Sequence, residues 1–486
     1  MKRPRAFWLG LLFTIGVARL WLMALPSGFW VDETVTAFVV ERPHDPSLAV
    51  APQVPASIYY AVARTAVSVW GTSEIAYRIP SVLAMLGVAW IVAKLARRLI
   101  DPDSAWFAAF ACLAIRGIDY FAVDARPYGL GMLAAAGAVW FLVRWLDTAS
   151  WVRAAGFVLS AELIWRIHLI YWPFYVVLAA YAFARLWAGA TRVSWLKAAA
   201  VFACAAAGLV PVALEALAVE RQAGAHVIIG PPSWRDFLHL LRWNVVAIAA
   251  AGAYVARRLT QIGAYFRSGD AKYSALLILM WWLGPPVLLY AISRATGQSV
   301  YLTRYLSVAL PGVALAATLA AHRFLPAQHW RLAAALMGIG ALIALGQWNA
   351  LWPAHEKSGW RQAAAWVNRV AAESDVPVIC PSPFVEARPP EWTPDYHLPG
   401  FLYAHLAYYP VRARCRLFPF EDSPPAKAYA ARLLAEELTP GGQFLIYGGA
   451  GNARFWQRWF AARPELHGWT NRREEFGDVY VVRFKK

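Results

Sequence analysis

Two neighbouring carboxylates are the first residues whose types and spacing suggest chemistry. The stretch Trp30-Val-Asp32-Glu33-Thr34 places adjacent acids directly after an apolar segment, where unpaired charges are costly. One interpretation is structural: Asp32 caps the start of a helix and Glu33 lies in its first turn. The other is chemical: a carboxylate with a tunable pKa acts as a general base or binds a metal ion. The two interpretations are compatible, because a capping carboxylate keeps a second oxygen.

A second charged set precedes a proline. Asp124 and Arg126 are followed by Pro127 and Tyr128, and Pro127 suits the first turn of a new helix. An Asp–Arg pair that holds a tight turn between two helices is one interpretation. The alternative is a site in which the carboxylate and the guanidinium face one cavity. The planar fork of arginine suits phosphate, because it donates two parallel hydrogen bonds.

The third candidate set is Arg304 and Tyr305, which precede Pro311. Arg304 either extends towards lipid headgroups at the membrane surface or binds a lipid phosphate at that depth. His168, which lies among tyrosines and tryptophans, is less specific. A single histidine in such surroundings is more often a satisfied hydrogen-bonding group than a ligand.

The elements that must position these residues are membrane-spanning helices. Of 486 residues, 60% are hydrophobic and 15% charged, and the mean hydropathy is +0.43. A soluble globular chain carries about 25% charged residues, so this composition excludes a soluble globule, a disordered chain and a coiled coil. The 26 Trp and 21 Tyr suit many membrane–water boundaries. The net charge of +17 is scattered between apolar runs, which favours anionic lipid over nucleic acid as its partner.

A span needs roughly 20 mostly apolar residues. Eleven runs qualify: 7–25, 80–97, 104–120, 127–146, 152–168, 169–187, 195–214, 242–257, 273–293, 303–321 and 332–351. The first follows Met-Lys-Arg-Pro-Arg without a small-residue cleavage site, which predicts a retained anchor. The run 56–70 is short and carries Arg64, which is typical of an interfacial helix. Arg19, near the end of the first span, is expected to extend towards the membrane surface.

The distribution of basic residues predicts the orientation. An N-terminus on the cytoplasmic side places 17 Lys and Arg on that side and 11 Arg, without Lys, on the other. An odd number of spans then places the tail outside the cytoplasm. The protein is therefore predicted to be a multi-pass cell (inner) membrane protein with a periplasmic or extracytoplasmic tail.

The tail changes character at about residue 352. Amphipathic helices alternate with short strands, of which PVIC, QFLIYGG and DVYVVRF are examples. The predicted fold is thus an all-α membrane domain over 1–351, with a catalytic outer loop at 26–79, and a small soluble α/β domain over 352–486. Cys380 and Cys415 both fall in this tail, and an oxidising compartment leaves a disulfide between them open.

The sequence contains none of the common nucleotide-binding or hydrolase motifs that would indicate a different function. Gly448-Gly449-Ala-Gly451 follows a predicted strand and superficially suggests a phosphate loop. It lacks the full dinucleotide spacing and an acidic partner about 20 residues further on. We therefore reject a dinucleotide site. The sequence also contains no GxxxxGK[ST], HExxH, paired CxxC or GxSxG motif.

Taken in order, these residues resemble the C-type membrane glycosyltransferase (GT-C) superfamily, in the branch of the protein O-mannosyltransferases and the lipid A aminoarabinose transferase. The matching stretches cover most of the chain: the acidic pair at 30–33, a proline-then-tyrosine segment ending in Tyr59-Tyr60, EIAYRIPS at 74–81, DARPY at 124–128, RYL at 304–306 and KSGWR at 357–361. The segment before Tyr59 lacks the family's commoner double proline. That departure leaves the acceptor open.

The resemblance implies inverting transfer of a hexose or pentose from a polyprenyl-phosphate donor to a glycan, lipid or protein hydroxyl. It implies that Asp32 is the catalytic base or orients the acceptor hydroxyl, and that Glu33 and Asp124 shape the site or hold a divalent ion. A divalent ion (Mg, Mn or Zn) on Asp32 and Asp124 is a further implication, and no organic cofactor is expected. The residues expected to bind substrate are Arg126, Tyr128, Arg304, Tyr305, Tyr59, Tyr60 and His168, and the two arginines would neutralise the departing phosphate.

Two other functions compete. A transporter or flippase of lipid-linked sugars would share the polar cavity but place ionisable residues near mid-membrane and show inverted repeats. The acids here lie at the predicted outer margin and no repeat is visible, which favours an enzyme. In a scaffolding protein, Asp32 and Asp124 would only cap helices.

Overall fold

A computed structural model of the chain describes residues 4–51, 53–220, 230–260, 271–395 and 400–486. The chain divides into two compact units, each built from separate stretches. Unit 1 comprises Met1–Leu25, Ser57–Val62 and Arg78–Pro353. Unit 2 comprises Pro26–Ala56, Ala63–Tyr77 and Ala354–Lys486, so it combines the tail with most of the segment 26–79.

Helices account for most of the described residues. In chain order they are α1 Pro4–Leu20, α2 Val31–Glu41, α3 Gln53–Ala56, α4 Ile58–Trp70, α5 Glu74–Leu99, α6 Ala105–Leu113, α7 Arg116–Ala122, α8 Tyr128–Thr148, α9 Trp151–Ile167, α10 Pro173–Trp187, α11 Trp195–Glu220, α12 Trp234–Leu240, α13 Trp243–Thr260, α14 Ala271–Thr296, α15 Leu310–His322, α16 Trp330–Leu345, α17 Trp360–Glu373, α18 Ala404–Tyr408, α19 Pro424–Leu433 and α20 Ala450–Ala461.

Every apolar run predicted to span the membrane contains helix, but the runs are not all single spans. Within the described ranges, seven helices are long and apolar enough to cross a membrane, and two pairs, α6–α7 and α12–α13, bend by 73° and 51°. Counting each bent pair as one span gives up to nine. The predicted number of eleven is therefore not established. The remaining two runs correspond to α9 and to a shorter apolar helix at Ser307–His322.

Close helix packing in unit 1 depends on small residues. A Cβ added to Gly312 on α15 would lie 2.8 Å from backbone atoms of Trp281 and Trp282 on α14. The two helices therefore approach to backbone contact, as small residues allow in membrane proteins. A large buried core of aliphatic and aromatic side chains surrounds this contact.

One acidic residue joins the ends of three helices. Asp147 at the end of α8 bonds Arg98 of α5 at 2.6 Å and Arg185 of α10 at 3.1 Å. The C-terminal ends of these helices thus lie together. The orientation predicted from the basic residues places Arg98 and Arg185 together on the cytoplasmic side, and their shared contact with Asp147 agrees with a common side.

Arg19 does not extend towards the membrane surface as expected. Its side chain is buried, and its guanidinium donates to the carbonyls of Gly346, Gln347, Ala350 and Leu351 at 2.7–3.0 Å. These carbonyls follow α16, where the helix leaves acceptors without intrahelical partners. Of the four residues only Gly346 is the C-cap of α16, so Arg19 holds the segment that follows this helix.

Unit 2 contains one five-stranded mixed sheet. Its strands are β1 Pro377–Pro381, β2 Arg414–Phe418, β3 Gln443–Gly449, β4 Thr470–Phe476 and β5 Val479–Lys485. The order is β2-β1-β3-β5-β4: β1 is parallel to β2 and β3, while β5 is antiparallel to β3 and β4. Helices α17 and α20 pack on the β3–β5 part of the sheet. Every residue of β1 is buried, as expected for a strand covered on both faces.

The three strands predicted from the tail are confirmed, and β2 and β4 are additional. Both additional strands lie at sheet edges. Four of the seven residues of β4 are charged, and β2 has only five residues, two of them Arg, so neither shows the sustained apolar alternation that identifies a strand. Helix α17 begins after Gly359, and Ser358 does not cap it but donates to Asp478 at 2.9 Å.

Cys380 and Cys415 lie on adjacent parallel strands as free thiols. The register pairs Val378 with Cys415 and Cys380 with Leu417, so the two cysteines are diagonal neighbours. Burial raises the pKa of the Cys380 thiol, which keeps it protonated.

Candidate functional site

Five of the predicted site residues converge in unit 1, with His168 at the centre of the group. His168 is the C-cap residue of α9, and it begins a short turn that leads to α10. Its ring lies 5.6 Å from that of Tyr128, in a stacked arrangement, and 5.5 Å from that of Tyr305, edge-on. Arg126 and Arg304 are near enough for their charges to act on the imidazole. Two guanidiniums and several rings therefore meet at one place.

A hydrogen-bond chain connects this cluster to the turn before α15. The Tyr171 and Ser307 hydroxyls are 2.6 Å apart, and Ser307 Oγ lies 2.7 Å from the Arg304 carbonyl. The Tyr171 ring lies 5.3 Å from His168. We call Arg126, Tyr128, His168, Tyr171, Arg304 and Tyr305 the arginine–aromatic cluster. Tyr171 and Ser307 were not predicted, although Tyr171 follows His168 by only three residues.

Asp124 is held at the edge of this cluster by its backbone. The Ser81 hydroxyl donates to the Asp124 carbonyl at 2.6 Å, and the Arg126 N–H donates to the same oxygen at 2.8 Å. The residue is fully buried, and its charge acts on Tyr171. Gly129 permits this arrangement, because an added Cβ would lie 3.3–3.4 Å from Phe121 and Ser81. A buried carboxylate and two half-buried guanidiniums thus lie in one polar region of unit 1.

Tyr59 and Tyr60 also belong to unit 1. Ser57 Oγ donates to the carbonyl of Ile167 at 2.7 Å, which brings this segment to the end of α9, beside His168. Both tyrosines are buried, with their rings edge-on 5.3 Å apart.

Asp32 and Glu33 lie in unit 2, where they have different roles from those expected. The residue before α2 is Trp30, so Asp32 is not the N-cap. Glu33, which is fully buried, accepts from the Trp30 N–H at 3.3 Å and therefore performs the capping. Asp32 lies in the same first turn and is half-buried. The helix dipole stabilises a carboxylate at this position.

The backbone before α2 is fixed by residues of the tail. Tyr409 accepts from the Phe29 N–H at 2.8 Å and donates to Glu74 at 3.0 Å. Arg361 donates to the Pro26 carbonyl at 2.8 Å and lies 3.5 Å from Glu74. Burial raises the pKa of the Tyr409 phenol, so it remains a donor.

Two further contacts complete this support. The His355 N–H donates to Ser27 at 3.2 Å, and Phe29 stacks on Tyr408 at 4.8 Å. Helix α18, which contains Tyr408, packs against α2. The turn that carries Asp32 is thus held by the tail of the same unit.

The residues of unit 2 that could bind a metal ion are not the ones expected from the sequence. A carboxylate oxygen of Glu33 and a ring nitrogen of His355 lie within 4.8 Å of each other, and Asp32 is not in that group. Among the described residues, Glu33 and His355 are therefore the ligand-type pair beside the start of α2. His355 and Tyr409 lie in stretches that have no motif of their own, so the sequence analysis missed both.

Neither a scan against protein-family models nor a search of curated proteins finds a match. A search of solved structures does. ArnT from Cupriavidus metallidurans bound to undecaprenyl phosphate superposes with a TM-score of 0.56 at 10% identity, and its apo state with 0.57 at 11%; 98% of each chain is covered in both cases. The archaeal oligosaccharyltransferase AglB from Archaeoglobus fulgidus, in complex with an inhibitory peptide and a dolichol-phosphate, gives 0.47 at 11%, over 99% of this chain and 74% of that one.

The chain therefore has the fold of ArnT over nearly its whole length. The fold agrees with the resemblance drawn from the ordered motifs. Together with the apolar helices, it identifies a multi-pass membrane protein.

Proposed function

We propose that this protein is an inverting glycosyltransferase that moves a sugar from a polyprenyl-phosphate donor to a hydroxyl acceptor on the outer face of the cell membrane. The observation that carries the proposal is the arginine–aromatic cluster, in which the His168 ring lies 5.6 Å from the Tyr128 ring and 5.5 Å from the Tyr305 ring, within range of the charges of Arg126 and Arg304. The fold is that of ArnT, whose crystal structure contains undecaprenyl phosphate. Half-buried guanidiniums in a membrane domain suit the phosphate of such a lipid.

On the donor side, the cluster would receive the phosphate as it leaves. When the bond between the anomeric carbon and the phosphate oxygen breaks, its electron pair stays on that oxygen. Arg126 and Arg304 offset this charge, and fixed donors in a buried site do so without reorganising. Tyr128, Tyr305 and His168 supply a rigid aromatic wall for the sugar ring or the first isoprene unit.

On the acceptor side, Asp32 is the proposed base. It would take the proton from the acceptor hydroxyl as that oxygen attacks the anomeric carbon, on the face opposite the phosphate. General-base catalysis of this kind contributes roughly 10²–10⁴-fold to a rate. Glu33 is occupied with the Trp30 N–H, so its role is to hold the turn. Asp124 would orient Arg126 across the short loop that contains both.

A divalent ion is compatible with unit 2 through residues other than Asp32. Glu33 and His355 would hold it, since carboxylate oxygen and imidazole nitrogen are ligands that Zn²⁺ and Mn²⁺ accept. Such an ion would supply positive charge near the start of α2. The proton transfer assigned to Asp32 does not depend on it.

The decisive experiment compares Asp32→Asn with Asp375→Asn. Asp375 is exposed on the tail, and within the described ranges its one ion pair is with Arg414, so its variant controls for the loss of one carboxylate. Envelope lipids and glycans of a deletion strain that expresses each variant are analysed by mass spectrometry for one missing sugar. Binding of undecaprenyl phosphate to the purified proteins is measured in parallel.

We expect Asp32→Asn to abolish the sugar addition while leaving lipid binding within about twofold, and Asp375→Asn to behave like the wild type. Arg304→Gln should instead weaken lipid binding by about tenfold or more, because it removes a charged hydrogen-bond donor. Full product formation by Asp32→Asn would remove Asp32 from the mechanism. Transbilayer movement of a lipid-linked sugar without any new glycosidic bond would instead favour a flippase.

A further inference from the structure

Unit 2 has a second basic site that the proposed reaction does not use. A pocket of about 290 Å³ opens between α20 and β4. Five residues line it, and we call it the arginine pocket: Gly451, Arg454, Gln457, Arg458 and Arg473. Three of the five side chains are guanidiniums, and none is an acid.

Secondary structure brings the three arginines together. Arg454 and Arg458 are four residues apart on α20 and therefore project from one face of that helix. Arg473 reaches the same space from β4, the edge strand of the sheet. The Tyr480 ring of β5 lies between them, 5.6 Å from the guanidinium carbon of Arg454 and 5.0 Å from that of Arg473.

The positive charges of the pocket are poorly balanced within the described chain. Arg454 Nε donates to the Ala450 carbonyl at 3.0 Å, which brings no negative charge. Arg473 pairs with Glu475 at 2.7 Å, but both side chains are well exposed, so water screens the pair. The Arg458 side chain has neither an ion pair nor a hydrogen bond to a described residue. Three cations around one small pocket repel each other unless an anion lies between them.

We propose that the arginine pocket binds a phosphate group. A guanidinium donates two parallel hydrogen bonds to phosphate oxygens, and three of them with the Gln457 amide match a compact, multiply charged anion. Gly451 keeps one side of the pocket open, since an added Cβ would meet nothing within 4 Å. The Gly-rich stretch that we rejected as a dinucleotide loop thus leaves room for the phosphate, whereas the arginine side chains bind it.

The phosphate can belong to a lipid headgroup or to a small soluble molecule, and the test separates these sources. Purified full-length protein in a zwitterionic detergent is titrated with inorganic phosphate, with dihexanoyl phosphatidic acid and with dihexanoyl phosphatidylcholine, and binding is followed by ³¹P line broadening. Variants Arg458→Gln and Arg454→Gln/Arg458→Gln are compared with Arg369→Gln. Arg369 is an exposed arginine of α17 outside the pocket, so its variant controls for the loss of one charge.

We expect Arg458→Gln to weaken phosphate binding by about tenfold and the double variant by more, because each charged hydrogen bond is lost. Arg458→Lys should recover part of the affinity, since it restores the charge without the fork. At least tenfold tighter binding of phosphatidic acid than of inorganic phosphate identifies a headgroup site, whereas equal binding identifies a soluble phosphate. Absence of binding, or equal weakening by Arg369→Gln, overturns the proposal. The site is independent of the glycosyltransferase proposal.

Discussion

At the scale of single residues, the adjacent acids Asp32 and Glu33 illustrate the limits of a motif. The sequence offered a structural and a chemical role for the pair, and it assigned the cap to Asp32. In unit 2 Glu33 is the buried residue that bonds the Trp30 N–H, whereas Asp32 is half-buried. The capping role therefore belongs to Glu33. This leaves Asp32 as the better candidate for the proton transfer, which remains a proposal.

Tyr409 should matter for turnover although it was absent from every motif. Tyr409→Phe removes the acceptor of the Phe29 N–H and the donor to Glu74, both of which fix the backbone before α2. On the proposed function we expect turnover to fall about tenfold or more, with undecaprenyl phosphate binding unchanged. Tyr429→Phe, a buried tyrosine of α19 in the same unit, is the control. Equal turnover of the two variants would show that the hydroxyl of Tyr409 does not position Asp32.

His405 predicts an acid-sensitive unit 2. The residue is fully buried against Trp360, with a centroid distance of 4.5 Å, and neither ring nitrogen bonds a described residue. Burial lowers the pKa of His405 to about 3. The unfolded chain therefore binds a proton below its ordinary pKa of 6.5, while the folded chain does not. The free energy of unfolding therefore carries no penalty from His405 above pH 6.5, and it decreases as the pH falls from 6.5 towards 3.

The expected slope is a loss of about 1.4 kcal/mol in the free energy of unfolding per pH unit in that window. Urea unfolding of the tail at pH 7.5, 6 and 5, followed by Trp fluorescence, measures it. His405→Phe should flatten the slope, whereas His467→Phe, at an exposed position, should not. An unchanged slope in His405→Phe would assign the pH dependence to other groups.

At the scale of helices and strands, the lengths of the apolar runs could be predicted from the sequence, but the bends within them could not. The runs at 104–120 and 242–257 are apolar throughout, yet α6–α7 and α12–α13 bend by 73° and 51°. Hydropathy averages over a window, so a change of direction within the window is invisible. The run at 303–321 shows the same limit: helix begins only at Leu310 after a short turn, and that turn carries Arg304 and Tyr305 to His168.

The contact of α14 with α15 predicts a sharp difference between two glycines. Gly312→Ala would place a Cβ 2.8 Å from the backbone of α14, whereas Gly340→Ala on α16 meets nothing within 4 Å. We expect Gly312→Ala to lower the free energy of unfolding by about 1–3 kcal/mol, as overpacking does. Gly340→Ala should be neutral or slightly stabilising, since alanine is the better helix former. Thermal unfolding in detergent compares them, and equal midpoints would contradict the close approach of α14 and α15.

At the scale of the whole molecule, the orientation in the membrane is the central prediction. The contacts of Asp147 with Arg98 and Arg185 fix three helix ends to one side of unit 1, and the excess of basic residues predicts that this side is cytoplasmic. A single cysteine introduced at Arg98 or at Lys197 in a background without native cysteines should resist a membrane-impermeant maleimide in intact cells. A cysteine at Asp375 should react.

Reaction of the position-98 cysteine in intact cells would invert the orientation. Equal protection of all three positions would contradict an external tail and, with it, the outer-face reaction proposed here. Labelling after permeabilisation is the control for accessibility, because all three positions must then react.

The sequence by itself determined that the helices lie in lipid and which local secondary structure many segments form. Apolar composition requires lipid around the helices, and period and turn residues were enough to predict the buried strands of the tail, since these depend on neighbouring residues along the chain. The ordered acids and arginines also indicated most of the cluster in unit 1.

Only the tertiary structure decided which distant residues act together. Tyr409 and Arg361 fix a turn more than 300 positions earlier in the chain, and three arginines from a helix and an edge strand form one pocket. These associations arise from packing between segments remote in sequence. No local pattern encodes them, because the free energy that joins them depends on burial and distance in the folded chain rather than on spacing along it.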